Sequence, residues 1–424
     1  VDVTAAPYGA VGDGKTLDTA AVQRAIDDCP AGGRVYFPDG TYLTGALNLH
    51  GDMELLLAPG ATLQGTDRPE DYLPHVKSRF EGREYMCYRS LLNLGEMDST
   101  GGPTVGRVTI RGGKIFGGGR TLAEACIKRD TPDMPLECLD ENGHIIPAND
   151  MLFKMNVRVR GRLFSVCNAE DVTIAHTELG RGPAWNVHFV YSRRVVTFDC
   201  IFRSENVWNG DGWDPDSSED CSVFGCTFRT GDDSVAVKSG KNPDGNIVGR
   251  PTKNIRIFDC VGEFGHGLTV GSEMSGGVDG VYIWDCDMNN TLYGVEIKGT
   301  SKRGGYIRNV HVSDSSLCRF LMHAVPYNND GEAAAHMPVF ENCTVNRCTL
   351  TGLAHAVSTT GVLKEHGETF FCDPVEIVGF SEEGCHVRNV TLTDVRIERR
   401  PDGAPHRIAL DLCEGITVNG ISVK

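Results

Sequence analysis

Apolar and polar residues alternate in short runs that recur along most of the chain. The runs share the order apolar, polar, apolar, as at 108–110, 172–174, 310–312, 390–392 and 416–418. An alternation with a period of two residues predicts β-strands that are buried on one face. No helical period separates the runs, so the sequence indicates an all-β chain built from many short strands.

The runs repeat at a nearly regular distance, which four cysteines make visible. Cys200, Cys226, Cys260 and Cys286 each end a similar tetrapeptide, and they are separated by 26, 34 and 26 residues. Short strands at such a period, with Gly, Asn and Asp at the corners, predict a stacked solenoid. We therefore expect a single right-handed parallel β-helix over residues 1–424. A β-propeller is the main alternative, but its blades need about 40–45 residues each.

Residues 18–29 form the one segment with a clear helical pattern. Asp18 or Thr19 is suited to be the N-cap, because short polar side chains bond the free amides of the first turn. The apolar residues of the segment share one helical face, and they are Val22, Ala25, Ile26 and Cys29. A solenoid needs caps over its ends, so we expect this helix to cover the N-terminal end of the stack.

Three segments interrupt the repeat, namely 119–151, 326–338 and 354–384. Long loops in a compact fold are usually functional, and insertions into a solenoid often form the walls of its binding face. We expect these three inserted loops to border a cleft. A cleft that is closed at one end would favour attack on the ends of a polymer.

Composition narrows the classes of partner. The 424 residues carry a net charge of −16, and 40% of them are hydrophobic. This charge disfavours nucleic acid, which binds proteins rich in Lys and Arg, and no apolar run approaches the roughly 18 residues of a membrane span. We expect neither partner, and the oligomeric state is open. An acidic polysaccharide would need a local group of bases, for which the candidates are Arg203, Lys238, Lys241, Arg250, Lys298, Lys302 and Arg303.

The chain contains 16 cysteines without a spacing typical of zinc sites. Cysteine at one position of successive repeats behaves as a small buried apolar residue, and disulfide scaffolds are typical of much shorter secreted chains. We therefore expect mostly free thiols, no metal and no cofactor. Free thiols slightly favour the cytoplasm, whereas a leader removed before Val1 would fit a secreted or periplasmic location.

Carboxylates cluster in the middle of the chain. Asp211 and Asp232 are 21 residues apart, about one coil, His266 follows 34 residues later and Lys298 a further 32. Neighbouring coils stack about 4.8 Å apart, so one polar residue per coil would form a line along one sheet. Two carboxyl groups on neighbouring coils are what glycosidic cleavage needs, one to protonate the leaving oxygen and one to activate water.

The local pattern around Asp233 refines this prediction. In 232–238 the two valines should face the core, which turns Asp232 and Lys238 outward. Strict alternation would bury Asp233, and a buried carboxylate without partners is costly. We predict that a turn or bulge at this point lets both carboxylates reach the cleft.

Four short motifs occur in order: Asn209-Gly210-Asp211, Gly231-Asp232-Asp233, Gly265-His266-Gly267 and Glu296-Ile297-Lys298. They resemble the four signatures of glycoside hydrolase family 28, the polygalacturonase family, whose fold is a pectin-lyase-like β-helix. The likeness extends from the N-terminus to about residue 312. Further segments that agree are 9–14, 183–188 and 271–277, while 238–241 and 249–251 resemble the bacterial exo-acting branch.

The resemblance implies inverting hydrolysis of a pectic oligosaccharide. Asp232 matches the general acid. Asp211 and Asp233 match the pair that holds and activates water, and His266 matches the residue that supports the acid. Lys298 would hold a substrate carboxylate. Further candidates for substrate binding are Asn209, Lys238, Glu296, Arg303 and Tyr327.

One position departs sharply from the family pattern, because Glu296 stands where the family has Arg. The replacement of a family Thr by Gly210 should be mild by comparison. The family Arg helps to bind a uronate beside the cleaved bond, and a Glu there would repel it unless Arg303, Lys302 or a loop residue compensates. A neutral sugar such as rhamnose beside galacturonate would then fit better.

The leading hypothesis is an exo-acting hydrolase that releases galacturonate from the non-reducing end of pectic oligosaccharides. The alternative within the family is a rhamnogalacturonan galacturonohydrolase, which cleaves galacturonate from a neutral sugar. Two other classes stay open: a β-helix polysaccharide lyase with a calcium site, and a glycan-binding β-helix without catalytic activity. Asp214 and Asp216 fit simple turn residues better than catalytic ones. His188 and Trp185 fit wall packing as well as substrate contact.

Overall fold

The computed structural model describes residues 1–146, 159–357 and 369–423. Within these residues the strands form three long parallel sheets of 13, 12 and 11 strands, here called sheets 1, 2 and 3. After the first strand the chain passes through sheet 2, sheet 1 and sheet 3 in turn and then begins the next coil. Crossovers between parallel strands are almost always right-handed. The fold is a right-handed parallel β-helix, which confirms the prediction.

The strands are numbered in chain order. Sheet 1 comprises β1 (Asp13–Leu17), β3 (Gly40–Thr44), β6 (Ala61–Gly65), β11 (Lys114–Phe116), β14 (Glu178–Gly180), β17 (Ile201–Ser204), β20 (Thr227–Thr230), β23 (Val261–Phe264), β26 (Asp287–Met288), β29 (Ser316–Leu317), β32 (Thr349–Leu350), β37 (Arg396–Ile397) and β40 (Ser422–Val423). Sheet 2 comprises β2 (Gly33–Phe37), β5 (Met53–Leu57), β10 (Val105–Arg111), β13 (Ala169–Ala175), β16 (Arg193–Phe198), β19 (Ser222–Phe224), β22 (Thr252–Phe258), β25 (Val278–Trp284), β28 (Tyr306–Ser313), β31 (Val339–Asn346), β36 (Val387–Thr393) and β39 (Cys413–Asn419). Sheet 3 comprises β4 (Leu47–Leu49), β9 (Leu92–Leu94), β12 (Phe164–Cys167), β15 (Val187–Val190), β18 (Trp213–Asp216), β21 (Val235–Val237), β24 (Gly267–Val270), β27 (Gly294–Gly299), β30 (Phe320–Ala324), β35 (Val375–Val378) and β38 (Ile408–Asp411).

One face of each strand fills the interior of the coils. In sheet 3, Trp213, Val235, Leu268 and Val295 pair in register across four neighbouring strands, and all are almost fully buried. Each such side chain contributes about 1.5–3 kcal/mol when it leaves water. Because the register is exact from coil to coil, the outward side chains of sheet 3 also lie in columns, and these columns carry the polar residues described below.

The cysteines that revealed the period mark one turn of the coil. Cys200, Cys226, Cys260 and Cys286 each lie directly before a strand of sheet 1, and each is buried. All 16 cysteines are free thiols, and 14 of them are buried. Burial also raises the pKa of Cys226 and Cys343 above the usual range, so these thiols behave as packing groups.

The N-terminal helix α1 (Thr19–Asp27) ends two residues earlier than predicted. Its buried residues Val22, Ala25 and Ile26 pack on the first coils. Asp18 occupies the N-cap position, but its carboxylate does not cap the helix. It accepts hydrogen bonds from the amides of Val11 (2.8 Å) and Gly12 (3.0 Å) instead. Asp18 therefore joins the preceding turn to the start of helix α1.

The insertions differ in part from the predicted loops. The segment 119–151 begins with a second helix, α2 (Gly119–Asp130), and the segment 326–338 is the connection between β30 and β31. The segment 354–384 contains β34 (Thr369–Phe371), which pairs antiparallel with β33 (Leu353–His355), and also β35 of sheet 3. Parts of two segments, 147–151 and 358–368, lie outside the described residues.

A further insertion was not predicted. β7 (Val76–Phe80) and β8 (Arg83–Cys87) form an antiparallel hairpin between β6 and β9. Within the described residues, the remaining short helices are α3 (Asp244–Val248), after β21, and single 3₁₀ turns at Pro69–Tyr72 and Leu136–Cys138. No helix in the described ranges is both long and apolar enough to cross a bilayer.

Candidate active site

The predicted catalytic residues gather along one edge of sheet 3. Asp211 lies in the turn before β18, Asp232 and Asp233 lie in the turn before β21, and His266 directly precedes β24. These three strands are neighbours in the sheet. Residues that precede neighbouring parallel strands must lie side by side, so the coil period alone brings the four side chains together. We call this side the catalytic edge, and the side where the strands end the far edge.

A cavity of about 110 Å³ opens on the outer face of sheet 3. It contains seven of the ten predicted site residues, and His266, Glu296 and Tyr327 are the three that do not line it. A larger cavity of about 780 Å³ lies against sheet 1 and holds none of them. The lining residues of the smaller cavity are Glu81, Trp185, Asn209, Asp211, Asp232, Asp233, Lys238, Lys241, Gly271, Ser272, Glu273, Lys298, Arg303, Asn328 and Asp330.

Asp211 is a buried carboxyl held by a buried lysine. Lys238 Nζ donates to Asp211 Oδ2 at 3.1 Å and lies 3.5 Å from Asp214 Oδ2. Burial raises the pKa of Asp211, Lys238 opposes this effect, and the charges of Asp232 and Asp233 add to it, so that the pKa is about 8. Asp211 therefore carries a proton at neutral pH in the unliganded protein.

Asp233 has the opposite electrostatic setting. Its Oδ1 accepts a hydrogen bond from Thr269 Oγ1 at 2.7 Å. Burial alone raises its pKa, but the cations Lys298, His266 and Lys238 outweigh burial and hold the pKa of Asp233 well below its usual range. The turn thus places an ionised carboxylate beside the protonated Asp211. Asp232 and Asp233, the two carboxyls of this turn, both line the cavity.

Asp232 is the most accessible of the three carboxyls, with 24% of its side chain exposed. Asn209 Nδ2 lies 3.4 Å from its Oδ2, and His266 Nδ1 lies 2.8 Å from its Oδ1. Burial lowers the pKa of His266, but Asp232 and Asp233 outweigh burial and raise that pKa well above its usual value. His266 is therefore a cation beneath the two carboxyls, and Tyr293 packs edge-on against its ring at 5.3 Å.

Three side chains of the catalytic edge have the spacing of a metal site. Asp232, Asp233 and His266 each offer one possible ligand atom, and these atoms lie within 4.8 Å of one another. A protonated imidazole has no lone pair for a metal, however, and Lys298 already compensates the charge of Asp233. The donor set therefore suits proton transfer better than cation binding.

Glu296 lies below the cavity and does not line it, which contradicts its prediction as a substrate-binding residue. It is fully buried, and its carboxylate contacts Lys298 Nζ at 2.7 Å, His323 Nε2 at 3.0 Å and the Tyr327 hydroxyl at 3.2 Å. Burial raises the pKa of Glu296, but Lys298 and His323 outweigh it and lower the pKa to about 2. The expected repulsion of a uronate is thus cancelled inside the protein.

Two other predicted substrate-binding residues have different partners from those expected. Tyr327 is 43% exposed but lies outside the cavity lining, and its hydroxyl bonds Glu296. Arg303 does line the cavity. It does not compensate Glu296, since its guanidinium donates to Asp330 Oδ1 at 2.9 Å and to the Asp330 carbonyl at 2.6 Å. Arg303 therefore holds the 326–338 segment against the cavity.

The hairpin β7–β8 closes one end of the cavity. The Gly82 carbonyl at its tip accepts a hydrogen bond from the Lys241 amide at 2.8 Å, and a side chain at position 82 would collide with Lys241. Lys241 Nζ in turn pairs with Asp330 at 2.6 Å. Hairpin, Lys241 and the 326–338 segment thus form one continuous wall beyond the far edge of sheet 3.

A buried ion pair fixes the hairpin to the sheet. Arg79 has no exposed side chain, and its Nη1 lies 2.6 Å from Asp216 Oδ1 and 3.0 Å from Ser217 Oγ. Its Nη2 donates to the Tyr191 hydroxyl. His188 Nε2 approaches the same carboxylate at 3.2 Å, and Arg79 and His188 outweigh burial to lower the pKa of Asp216 to about 2. Asp216 is an anchor, and its prediction as a turn residue is wrong.

Several residues that line the cavity or support it were not among the predicted site residues. Asp214 belongs to β18 and is fully buried beside Lys238, and burial raises its pKa well above the usual value. Trp185 lines the cavity and supports Lys238, whose Nζ lies 4.1 Å from the ring centroid. Glu273 lines the cavity within 271–277, a segment that matched the family pattern but was given no role. The alternation in 213–216 could have identified Asp214 as an outward partner of Lys238.

Three of the seven predicted bases lie elsewhere. Arg203 pairs with Glu178 on sheet 1, and Arg250 stacks over Tyr191 outside the cavity lining. Lys302 does not line the cavity either. The remaining four, Lys238, Lys241, Lys298 and Arg303, all line it, so the local group of bases is real but smaller than predicted.

Comparisons with known proteins agree with this geometry. The family model described as "Glycosyl hydrolases family 28" matches residues 139–328, and one described as "Rhamnogalacturonase A/epimerase, pectate lyase-like" matches residues 3–55. The exo-poly-alpha-D-galacturonosidase of Dickeya chrysanthemi is 28% identical over 84% of this chain and 63% of its own length. A probable polygalacturonase of Vitis vinifera is 31% identical over 73% of this chain and 59% of its own length.

The chain thus spans less than two thirds of the length of either relative. Among solved structures, the exopolygalacturonase of Thermotoga maritima superposes with a TM-score of 0.77 and 27% identity, over 99% of this chain and 91% of that one. The shared coil architecture and the matched segment, which includes all four motifs and all four acidic and imidazole groups of the catalytic edge, lead to one conclusion. Residues 139–328 match glycosyl hydrolases family 28, and most of the chain is similar to polygalacturonases.

Proposed function

We propose that the protein is an exo-acting hydrolase that releases galacturonate from the non-reducing end of pectic oligosaccharides with inversion. One observation carries the proposal: a cavity with three carboxyls at its catalytic edge and four bases around it is closed by a wall at one end. The bases suit an anionic sugar. The wall leaves room for a chain end and not for a continuous polymer.

Asp232 serves as the general acid. It is the carboxyl with the largest exposed fraction at the catalytic edge, so a leaving oxygen can approach it. Asn209 and His266 orient it from the two sides.

Asp211 and Asp233 hold and activate the water. Asp233 is ionised and can accept the proton, while the protonated Asp211 can donate a hydrogen bond that orients the water. The pair lies on the turns into two neighbouring strands, β18 and β21. Inversion needs this kind of separate base, placed to activate water on the face opposite the acid.

Lys298 and Lys238 attract the uronate carboxylate. Both ammonium groups are buried beside the cavity, and their nearby carboxylates raise their pKa values well above the usual value. Glu296 no longer argues for a neutral sugar next to galacturonate, because its carboxylate is buried against the cations Lys298 and His323 and accepts a hydrogen bond from Tyr327. Galacturonate on both sides of the cleaved bond is therefore the preferred substrate.

The test is product analysis with a galacturonate hexamer labelled at its reducing end. We expect unlabelled monomer from the first turnovers and a labelled pentamer as the partner product, with Asp232→Asn inactive. Labelled fragments shorter than the pentamer in the first turnovers would contradict exo attack. Release only from a rhamnogalacturonan oligomer would favour the neutral-sugar alternative, an ultraviolet-absorbing product would indicate a lyase, and binding without turnover would indicate a glycan-binding protein.

A further inference from the structure

Glu273 lines the cavity and has one buried carboxyl oxygen, Oε2, without a hydrogen-bond donor in the described part of the chain. It follows β24 in the connection to β25, and its main-chain carbonyl accepts a hydrogen bond from the Ser239 amide at 2.7 Å. Its side chain lines the cavity, and Oε2 is buried without a hydrogen bond. A buried acceptor without a donor is unfavourable, so this atom is suited to a donor from a ligand.

The position of Glu273 tells which part of a ligand it meets. Asp232 and Asp233 precede β21 and His266 precedes β24, whereas Glu273 comes after β24. The carboxyl therefore lies at the far edge of sheet 3, across the strands from the catalytic edge. The charges that act on it are, in decreasing order, those of Lys238, Asp216, Lys241 and Glu81, and the last two residues line the cavity beside the hairpin tip. Glu273 thus stands beside the wall.

A terminal galacturonate that fits between edge and wall has a defined orientation. Its C1 must lie at Asp232, where the glycosidic bond is broken. In a pyranose ring C4 lies opposite C1, so C4 and its axial hydroxyl lie at the end of the ring nearest the wall. This hydroxyl is free only at the non-reducing end, because in the polymer it carries the next sugar.

Resting on the proposed function, we propose that Glu273 accepts a hydrogen bond from the C4 hydroxyl of the non-reducing terminal ring. The residue thereby selects saturated ends over 4,5-unsaturated ends, which lack this hydroxyl. Burial raises the pKa of the Glu273 carboxyl, which lowers its repulsion of a uronate. The enzyme would then act on chains produced by hydrolases in preference to chains produced by lyases.

The experiment compares two trisaccharides as substrates, saturated trigalacturonate and its lyase-derived counterpart with an unsaturated terminal ring. kcat/KM is measured for both with wild type, Glu273→Ala and Glu273→Gln. Loss of one hydrogen bond to a buried carboxyl corresponds to about a 10- to 100-fold loss of rate. We expect Glu273→Ala to lose this factor on the saturated substrate only. Gln keeps an acceptor at the same reach and should retain most of the preference.

The change of the substrate ratio on mutation is the decisive quantity, because a difference in ring shape affects all variants alike. A control, Glu178→Gln, alters a carboxylate on sheet 1 that pairs with Arg203 and Lys114, and its ratio should equal that of wild type. If wild type hydrolyses the saturated trimer but Glu273→Ala keeps the wild-type ratio while folded, this inference is wrong and the proposed function stands. If wild type hydrolyses neither trimer, the proposed function itself fails.

Discussion

Replacement of Arg79 by Met should convert part of the exo activity into internal cleavage. Arg79 is the buried residue through which the hairpin β7–β8 is paired with Asp216 of sheet 3, at 2.6 Å. The variant also loses the hydrogen bonds to Ser217 and Tyr191. A methionine fills the space of the arginine stem but offers no donor. The hairpin is then held only by its more exposed contacts, such as Arg83 with Asp244, so its tip should leave Lys241 more often and open the wall.

The loss of stability in Arg79→Met follows from the burial of the ion pair. Both partners have no exposed side chain, and removal of one member of a buried ion pair costs about 3–5 kcal/mol, since the other charge is left uncompensated. Total stabilities are roughly 5–15 kcal/mol, so the variant folds with a reduced margin. In Arg79→Met/Asp216→Asn no unpaired charge stays buried. This double variant should regain about 1–3 kcal/mol over Arg79→Met.

Comparison of the single and the double variant separates the effect of losing the hairpin anchor from the effect of losing stability. Neither variant keeps the ion pair between Arg79 and Asp216. Both should therefore release labelled fragments shorter than the pentamer from a reducing-end-labelled galacturonate hexamer, although the double variant is the more stable. Stability is measured by urea unfolding, and products are separated by length in the first few per cent of turnover. If Arg79→Met yields monomer alone at wild-type selectivity, the hairpin does not limit access in the way we argue.

Three further outcomes concern the carboxyls of the site. Asp232→Asn should lower kcat by about 10²–10⁴-fold with little change in Tm, and a loss below tenfold would argue against its role as acid. Asp211 binds its proton more tightly when folded, with a pKa of about 8 against about 3.9 in the unfolded chain. Wild type therefore loses stability as pH rises between these values, and the Tm advantage of Asp211→Asn should grow from pH 4 to pH 8. For Glu296 the change of stability with pH has the opposite sign, because its pKa of about 2 lies below the unfolded value of about 4.3. The stability it adds is full above pH 4.3 and is lost toward pH 2, so Glu296→Gln should unfold more easily than wild type at pH 7, and the gap should close in acid. Unfolding curves across pH measure both, and parallel curves for wild type and variant would contradict the assigned shifts.

The coil architecture could be predicted because its causes are local. A period of two residues fixes which side chains face inward, and the distance between equivalent cysteines fixes the length of a coil. Asp211, Asp232, Asp233 and His266 could be grouped for the same reason, since each directly precedes a neighbouring strand of sheet 3 or lies in the turn before it. Their order along the sheet needs no knowledge of any loop.

The hairpin was missed because it does not contribute to the core of the stack. Its strands carry Ser78 and Arg79 among their buried residues, so the alternation of apolar and polar residues is absent. One signal was present in the sequence, namely the glycine at position 82. Glu81 and Gly82 both adopt positive φ, 46° and 73°, as a two-residue hairpin turn requires, and a glycine at the second position is typical of such turns.

The charge at Glu296 shows why a motif can mislead when it is considered one coil at a time. The sequence reveals a reversal from Arg to Glu within a strand, and from that alone repulsion of a uronate follows. The compensating groups His323 and Tyr327 come from the next coil, 27 and 31 residues later. The register of β27 with β30 aligns Lys298 with His323, so the cation that the family places in this strand is supplied by its neighbour. In a solenoid the electrostatic unit is therefore the column of residues across coils. A substitution in one coil can be judged only together with the residues that stack on it.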